Sequence, residues 1–93
     1  MMKIRRTHAF DRQLKSLLKK HYSKDSYKKA IKALASDDQE LLHKLKDHAL
    51  TGNLKGLREL HIEKDWLLIY ERHDDILTLV LVSTGSHSQL FNK

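Results

Sequence analysis

Hydrophobic positions change their spacing partway along the chain, from a helical period in the first half to alternation in the second. Lys3 to His8 reads as a short strand or extended lead-in, with Ile4 its one strong apolar residue. Phe10, Leu14, Leu17 and Leu18 then fall at i, i+4, i+7 and i+8, one face of an amphipathic helix, with Lys15, Lys19 and Lys20 on its other side. His21-Tyr22-Ser23-Lys24 breaks the pattern. Ser23 is suited to cap a second helix, in which Tyr27, Ala30, Ile31 and Leu34 repeat the spacing. So short a connection predicts an antiparallel helical hairpin. Ser36-Asp37-Asp38-Gln39 matches a capping box and predicts a third short helix burying Leu41, Leu42 and Leu45.

Asp47 to Gly56 holds two glycines and no period, and is expected to be a loop. From Leu57 to Ile62 the side chains alternate, with Leu57, Glu59 and His61 on one face and Arg58, Leu60 and Ile62 on the other. A tight connection around Glu63-Lys64 leads through Asp65-Trp66 into a strand over Leu67 to Glu71. Arg72-His73-Asp74-Asp75 reads as a polar hairpin turn, and Ile76 to Val82 as a central strand covered on both faces. Gly85 permits a bend, and Ser86 to Phe91 is expected to form a final edge strand. The predicted order is βααα-ββββ. Helices that precede strands in this way give an α+β fold with the helices on one sheet face.

Ninety-three residues suit a single domain over 1–93, because chains shorter than roughly 150 residues seldom divide. There is no cysteine, which excludes disulfides and thiolate metal sites and fits a reducing compartment. The N-terminus is charged without the apolar stretch of a signal peptide, and no run has the length of a membrane span. A cytoplasmic protein without a membrane partner is expected. Net charge is +6, and its distribution is uneven. Residues 1–35 carry eleven Lys/Arg against Asp11 and Asp25, whereas residues 36–93 carry seven against ten Asp/Glu. Clustering of one sign predicts a partner rich in phosphates or carboxylates.

The candidate chemistry lies in the second half, where His48, His61, His73 and His87 fall near the predicted sheet. The chain has no HxxxH on a helix, no HxH on a strand and no cysteine partner, so no metal site and no cofactor are expected. Cleavage of RNA by its own 2′-hydroxyl is a metal-free alternative. It needs a base, an acid for the leaving 5′-oxygen, and donors or cations for the phosphate, and imidazoles with a carboxylate supply such proton transfers near neutral pH. Lys55 and Arg58 are candidates to hold phosphate, and Trp66 and Phe91 to stack an unpaired base. Each aromatic has a plainer reading as well: Trp66 as a core residue at the start of a strand, Phe91 as a plug at the end of the sheet.

Four segments occur in a recognisable order: Asp47-His48-Ala49-Leu50-Thr51-Gly52, Gly56-Leu57-Arg58-Glu59-Leu60-His61-Ile62, Asp65-Trp66-Leu67-Leu68-Ile69-Tyr70 and Thr84-Gly85-Ser86-His87-Ser88-Gln89-Leu90-Phe91. Together they resemble the YafQ-type toxins of the RelE superfamily, from bacterial type II toxin–antitoxin systems. The resemblance is close over 47–91 and general over the helical half. It implies a twisted antiparallel sheet of four to five strands with N-terminal helices on one face. It also implies ribosome-dependent cleavage of translated mRNA in the A site, and neutralisation by a cognate antitoxin of the RelB/DinJ kind. Any DNA binding is expected only through the antitoxin complex. Carried over by position, His48, His61, Asp65 and His87 form the acid/base group. His87 is expected as general acid, His48 and His61 in base and phosphate-orienting roles, and Asp65 as the group that sets imidazole charge.

One departure stands out. Many relatives carry arginine two residues before the glycine of the T-G-x-H motif, and this chain has Ser83 there. A serine cannot hold a phosphate bidentately as a guanidinium does. Lys55 is expected to substitute, since strict alternation turns Arg58 away from His61. The same serine keeps a second function in view: a toxin-fold binding module that blocks the ribosome or binds antitoxin without cutting RNA.

Overall fold

Each of the three N-terminal helices begins on a side chain that satisfies one of its orphan amides. The computed structural model describes residues 2–91. After strand β1 (Lys3–Arg6) come helices α1 (His8–Lys19), α2 (Lys24–Ala35) and α3 (Gln39–Lys44). Thr7 Oγ1 accepts from the amide of Phe10 at 3.0 Å, and Ser23 Oγ from that of Ser26 at 3.1 Å. The third cap is Asp38, whose carboxylate accepts from the amide of Leu41, and not Ser36 as the capping-box spacing predicts. Helix α2 runs on through Ala35, so Ser36 closes that helix instead, with its hydroxyl on the carbonyl of Lys32.

The helix ends share a device that no glycine advertises. His21, Asp37 and Lys46 each follow a C-cap with positive φ (70°, 54° and 60°). Paired backbone bonds close every end: Tyr22 to Leu17 and His21 to Leu18, Asp38 to Ala33 and Asp37 to Leu34, Asp47 to Leu42 and Lys46 to His43. These are three Schellman motifs in succession, each with a side chain in the left-handed region usually given to glycine.

The second half supplies β2 (His48–Ala49), β3 (Arg58–Glu63), β4 (Trp66–His73), β5 (Thr78–Gly85) and a closing helix α4 (His87–Phe91). Their order across the sheet is β1-β5-β4-β3-β2. β1 runs parallel to β5, so the sheet is mixed and not wholly antiparallel; the other neighbours are antiparallel. A short 3₁₀ turn (Gly52–Leu54) and the two-residue β2 occupy the stretch expected to be loop. The expected central strand is β5, interior to the sheet between β1 and β4, but it begins only at Thr78 and runs on to Gly85. Ile76 and Leu77 lie in the β4–β5 turn, exposed.

Ser86 to Phe91 is helix and not the expected edge strand. Ser86 and Gln89 cap each other: Ser86 Oγ accepts from the amide of Gln89, and Gln89 Oε1 from the amide of Ser86 at 2.8 Å. A Cβ on Gly85 would meet Gln89 Oε1 at 2.8 Å, so the glycine lets the helix fold back this closely.

Helices cover one face of the sheet. Phe10, Leu17, Ala30, Ala33, Leu34 and Leu42 pack there against Leu60, Trp66, Leu68, Tyr70, Leu79 and Leu81. The pleat turns the alternate residues, among them Glu59, His61, Leu67 and Ile69, to the opposite face. Among the described residues no helix is long and apolar enough to cross a membrane.

Candidate active site

His48 owes its place to the end of α3. The left-handed Lys46 turns the chain out of the helix, and its carbonyl lies 2.7 Å from His48 Nδ1. A carbonyl can only accept, so Nδ1 carries a proton, and in the neutral form of the ring the lone pair is on Nε2. Asp47 faces the other way. Its carboxylate accepts from Arg58 Nη2 at 2.8 Å and from the Tyr70 hydroxyl, while Arg58 Nε reaches the same hydroxyl at 3.3 Å. Burial, then the Asp47 carboxylate, push the Tyr70 phenol well above its usual range, so its proton stays on to be donated. This clamp fastens the edge strand β2 from the helix side while His48 projects from the other face.

Arg58 is therefore not placed as a phosphate ligand beside the histidines. It lies on the face of Tyr70, with its guanidinium held by Asp47, and that bond raises its pKa further. Lys55, just after the 3₁₀ turn, is exposed and stays available.

Register places His48 directly opposite Glu59 on β3, and His61 two residues further along the same face. Such diagonal neighbours have Cα atoms about 7–8 Å apart. Glu59 is 6% exposed and approaches His61 Nε2 at 3.6 Å, an ion pair when the imidazole is protonated. Sequence reasoning missed this carboxylate as a functional residue. The signal was its alternation with His61; what alternation could not give was its burial between two histidines.

Leu67 and Ile69 form the floor between these residues and β5, where Leu67 stands opposite both His61 and Gly85, and Ile69 opposite both Glu59 and Ser83. Ser83 thus sits on the histidine face, at the level of Glu59. Beyond Gly85 the chain turns into α4, and Asp65 Oδ1 accepts from the backbone amide of His87 at 3.2 Å. That bond places Asp65 and His87 together. The carboxylate touches the His87 backbone, not its ring, so it holds the helix start where a charge-setting contact was expected. His87 and Phe91, one turn apart, bring their ring centroids to 4.9 Å, both at the surface.

Trp66 is a correction. It is fully buried, meets Tyr22 edge-on at 5.1 Å, and donates Nε1–H to Thr84 Oγ1 at 2.8 Å. Nothing of its ring is available to stack on a base. The plainer reading, a core aromatic at the start of a strand, holds.

No group of three or more His, Asp or Glu side chains among the described residues is arranged to hold a metal ion. What the arrangement offers is one face with an imidazole at His48 and an imidazole–carboxylate pair at His61 and Glu59; a further imidazole, His87, lies exposed at the start of α4. Fold and site define a class: a small α+β protein whose sheet bears acid/base groups on the face turned from its helices.

The family model described as bacterial toxin of type II toxin–antitoxin system, YafQ, matches residues 2–92. The mRNA interferase toxin YafQ of Escherichia coli K12 is 34% identical over 82 residues, 88% of this chain and 87% of the relative. A metal-bound toxin from Helicobacter pylori superposes with a TM-score of 0.87 at 42% identity, covering 98% of this chain and 100% of that one. The toxin fold in the Escherichia coli DinJ–YafQ complex gives 0.86 at 32% identity, covering 98% and 99%. The chain belongs to the YafQ family of type II toxin–antitoxin toxins.

Proposed function

We propose that this protein is an mRNA interferase that cuts translated mRNA on the ribosome and is held silent by a DinJ-like antitoxin. The observation that carries the reading is His48 Nε2, left free as a proton acceptor by the Nδ1–carbonyl bond, on the face that also bears His61. His48 takes the 2′-hydroxyl proton, and the resulting oxygen attacks the adjacent phosphorus. His87, as the imidazolium, returns a proton to the departing 5′-oxygen. His61, paired with Glu59, and Lys55 face the phosphate charge in place of the arginine that Ser83 does not supply. Phe91, beside the His87 ring, is the aromatic that meets the base. Proton transfers of this kind each contribute roughly 10²–10⁴-fold.

Relatives support the partners. YafQ is solved as a complex with DinJ, and the curated relative carries the name mRNA interferase toxin. The ribosome as platform is supported by charge. All eleven Lys/Arg of residues 1–35 are exposed, and the one ion pair recorded for them joins Arg6 to Asp11. An excess so little used within the described residues suits a surface built of phosphates.

The test compares one mRNA in two states, free and on programmed ribosomes, each incubated with purified protein. Cleavage confined to the ribosome-bound message is expected, suppressed by the antitoxin. Stalled ribosomes protecting intact mRNA would replace this reading with the non-cleaving binding module.

A further inference from the structure

Helix α4 carries His87, yet none of its residues is buried. Between it and α1 lies a cleft of about 270 Å³, whose lining includes Gln13, Leu17, Thr84, Gln89 and Leu90. With no buried residue, α4 has little apolar packing to fix the direction in which it leaves the sheet. Polar bonds at its root must do so, and the root is Thr84 to His87.

Both ends of that root are gripped by one dipeptide. Asp65 accepts from the amide of His87 at 3.2 Å, and its neighbour Trp66 donates to Thr84 Oγ1 at 2.8 Å. The threonine hydroxyl in turn donates a hydrogen bond to the carbonyl of Leu67 at 2.7 Å, and the Thr84 amide donates to Gln13 Oε1 at 2.9 Å. Thr84 is 2% exposed and Trp66 fully buried, so the two bonds of the Thr84 hydroxyl are shielded from water and fix both its donor and its acceptor direction. Thr84 thus ties β5 to β4 through its hydroxyl and to α1 through its amide, three residues before His87.

We propose that Trp66 and Thr84 are positioning residues, acting through the Trp66–Thr84–Leu67 hydrogen-bond relay to fix the start of α4 and with it the His87 imidazole. Trp66 then serves the chemistry without touching RNA. The inference rests on the ribonuclease reading for its rate effects, but not for its structural ones.

Thr84→Val keeps the shape and removes the hydroxyl; Trp66→Phe keeps an aromatic core residue and removes the indole N–H. Single-turnover cleavage on programmed ribosomes should slow about 10-fold or more in each, since misplacement by about 1 Å can cost 10²-fold. The ribosome concentration for half-maximal rate should stay at the wild-type value. Thr84→Ser should restore most of the rate, and the double variant should be little slower than the worse single one, because both break the same relay. In ¹H–¹⁵N spectra the His87 amide should move in both single variants. Wild-type rates with an unmoved His87 amide would overturn the proposal, as would a loss confined to ribosome affinity. If the wild type itself cuts nothing, the ribonuclease reading fails, and the His87 amide alone decides the positioning claim.

Discussion

At the scale of residues, the sheet register sets His48 and His61 on the face turned from the helices. The face of His61 was legible from alternation along its strand, whereas that of His48, in a stretch without period, follows only from its pairing with Glu59. Arg58 was legible as turned away from His61, yet its partners were not: Asp47 and Tyr70 are 11 and 12 residues distant, and only the sheet brings them to it. Trp66 was undecidable from the sequence, since a strand-initiating aromatic reads alike whether it packs inward or faces RNA. Glu59 was seen in the alternation, but its burial depends on neighbouring strands. The Arg58 assignment has a direct consequence. Arg58→Ala leaves Asp47, whose side chain is 11% exposed, with Tyr70 as its remaining clamp partner. Removing one partner of such a carboxylate costs about 1–3 kcal/mol, so urea denaturation should show a loss of that size. Were Arg58 chiefly a phosphate ligand, the variant would keep its stability.

At the scale of elements, helices were easier to read than their ends. The period and Ser23 located α1 and α2, but the three left-handed terminators carry histidine, aspartate and lysine, so no glycine marked them. Helix α4 was missed because a five-residue segment is too short for period to separate helix from strand. Its Ser86-x-x-Gln89 capping box was the available signal. The terminators also store removable strain. His21 is exposed and has φ of 70°. Glycine adopts that region without the Cβ penalty, so His21→Gly should raise the unfolding free energy by about 0.5–1 kcal/mol, read as a higher Tm. A lower Tm would mean that the added freedom of the unfolded chain outweighs the relief.

At the scale of the whole molecule, charge and topology divide the labour. The basic helices cover one face, and His48 and His61 lie on the other. Arg72 links the two halves, bonding Asp37 after α2 at 2.8 Å and Asp74 in the β4–β5 turn. Its hydrogen bond to Asp37 holds that carboxyl below its usual pKa. A carboxylate depressed on folding stabilises fully above its unfolded pKa, near about 3.9, and that share is lost as pH falls through the lower folded value. Arg72→Ala should therefore be less stable than the wild type at pH 6, with the gap narrowing below about pH 4 in denaturant titrations. The gap should be modest, because the Asp37 side chain is 44% exposed. A gap unchanged down to pH 2 would mean that Arg72 acts by packing.

Proton transfer by His48, from β2, and by His87, at the start of α4, is what we propose for a ribosome-bound message. Primer extension on a translated mRNA, with and without ribosomes, compares the wild type with His48→Ala and His87→Ala most directly. The expected result is a discrete cut by the wild type on ribosomes alone, slowed at least about 10²-fold in either variant. Full-rate cleavage by His87→Ala, or equal cleavage of naked RNA by the wild type, would contradict it.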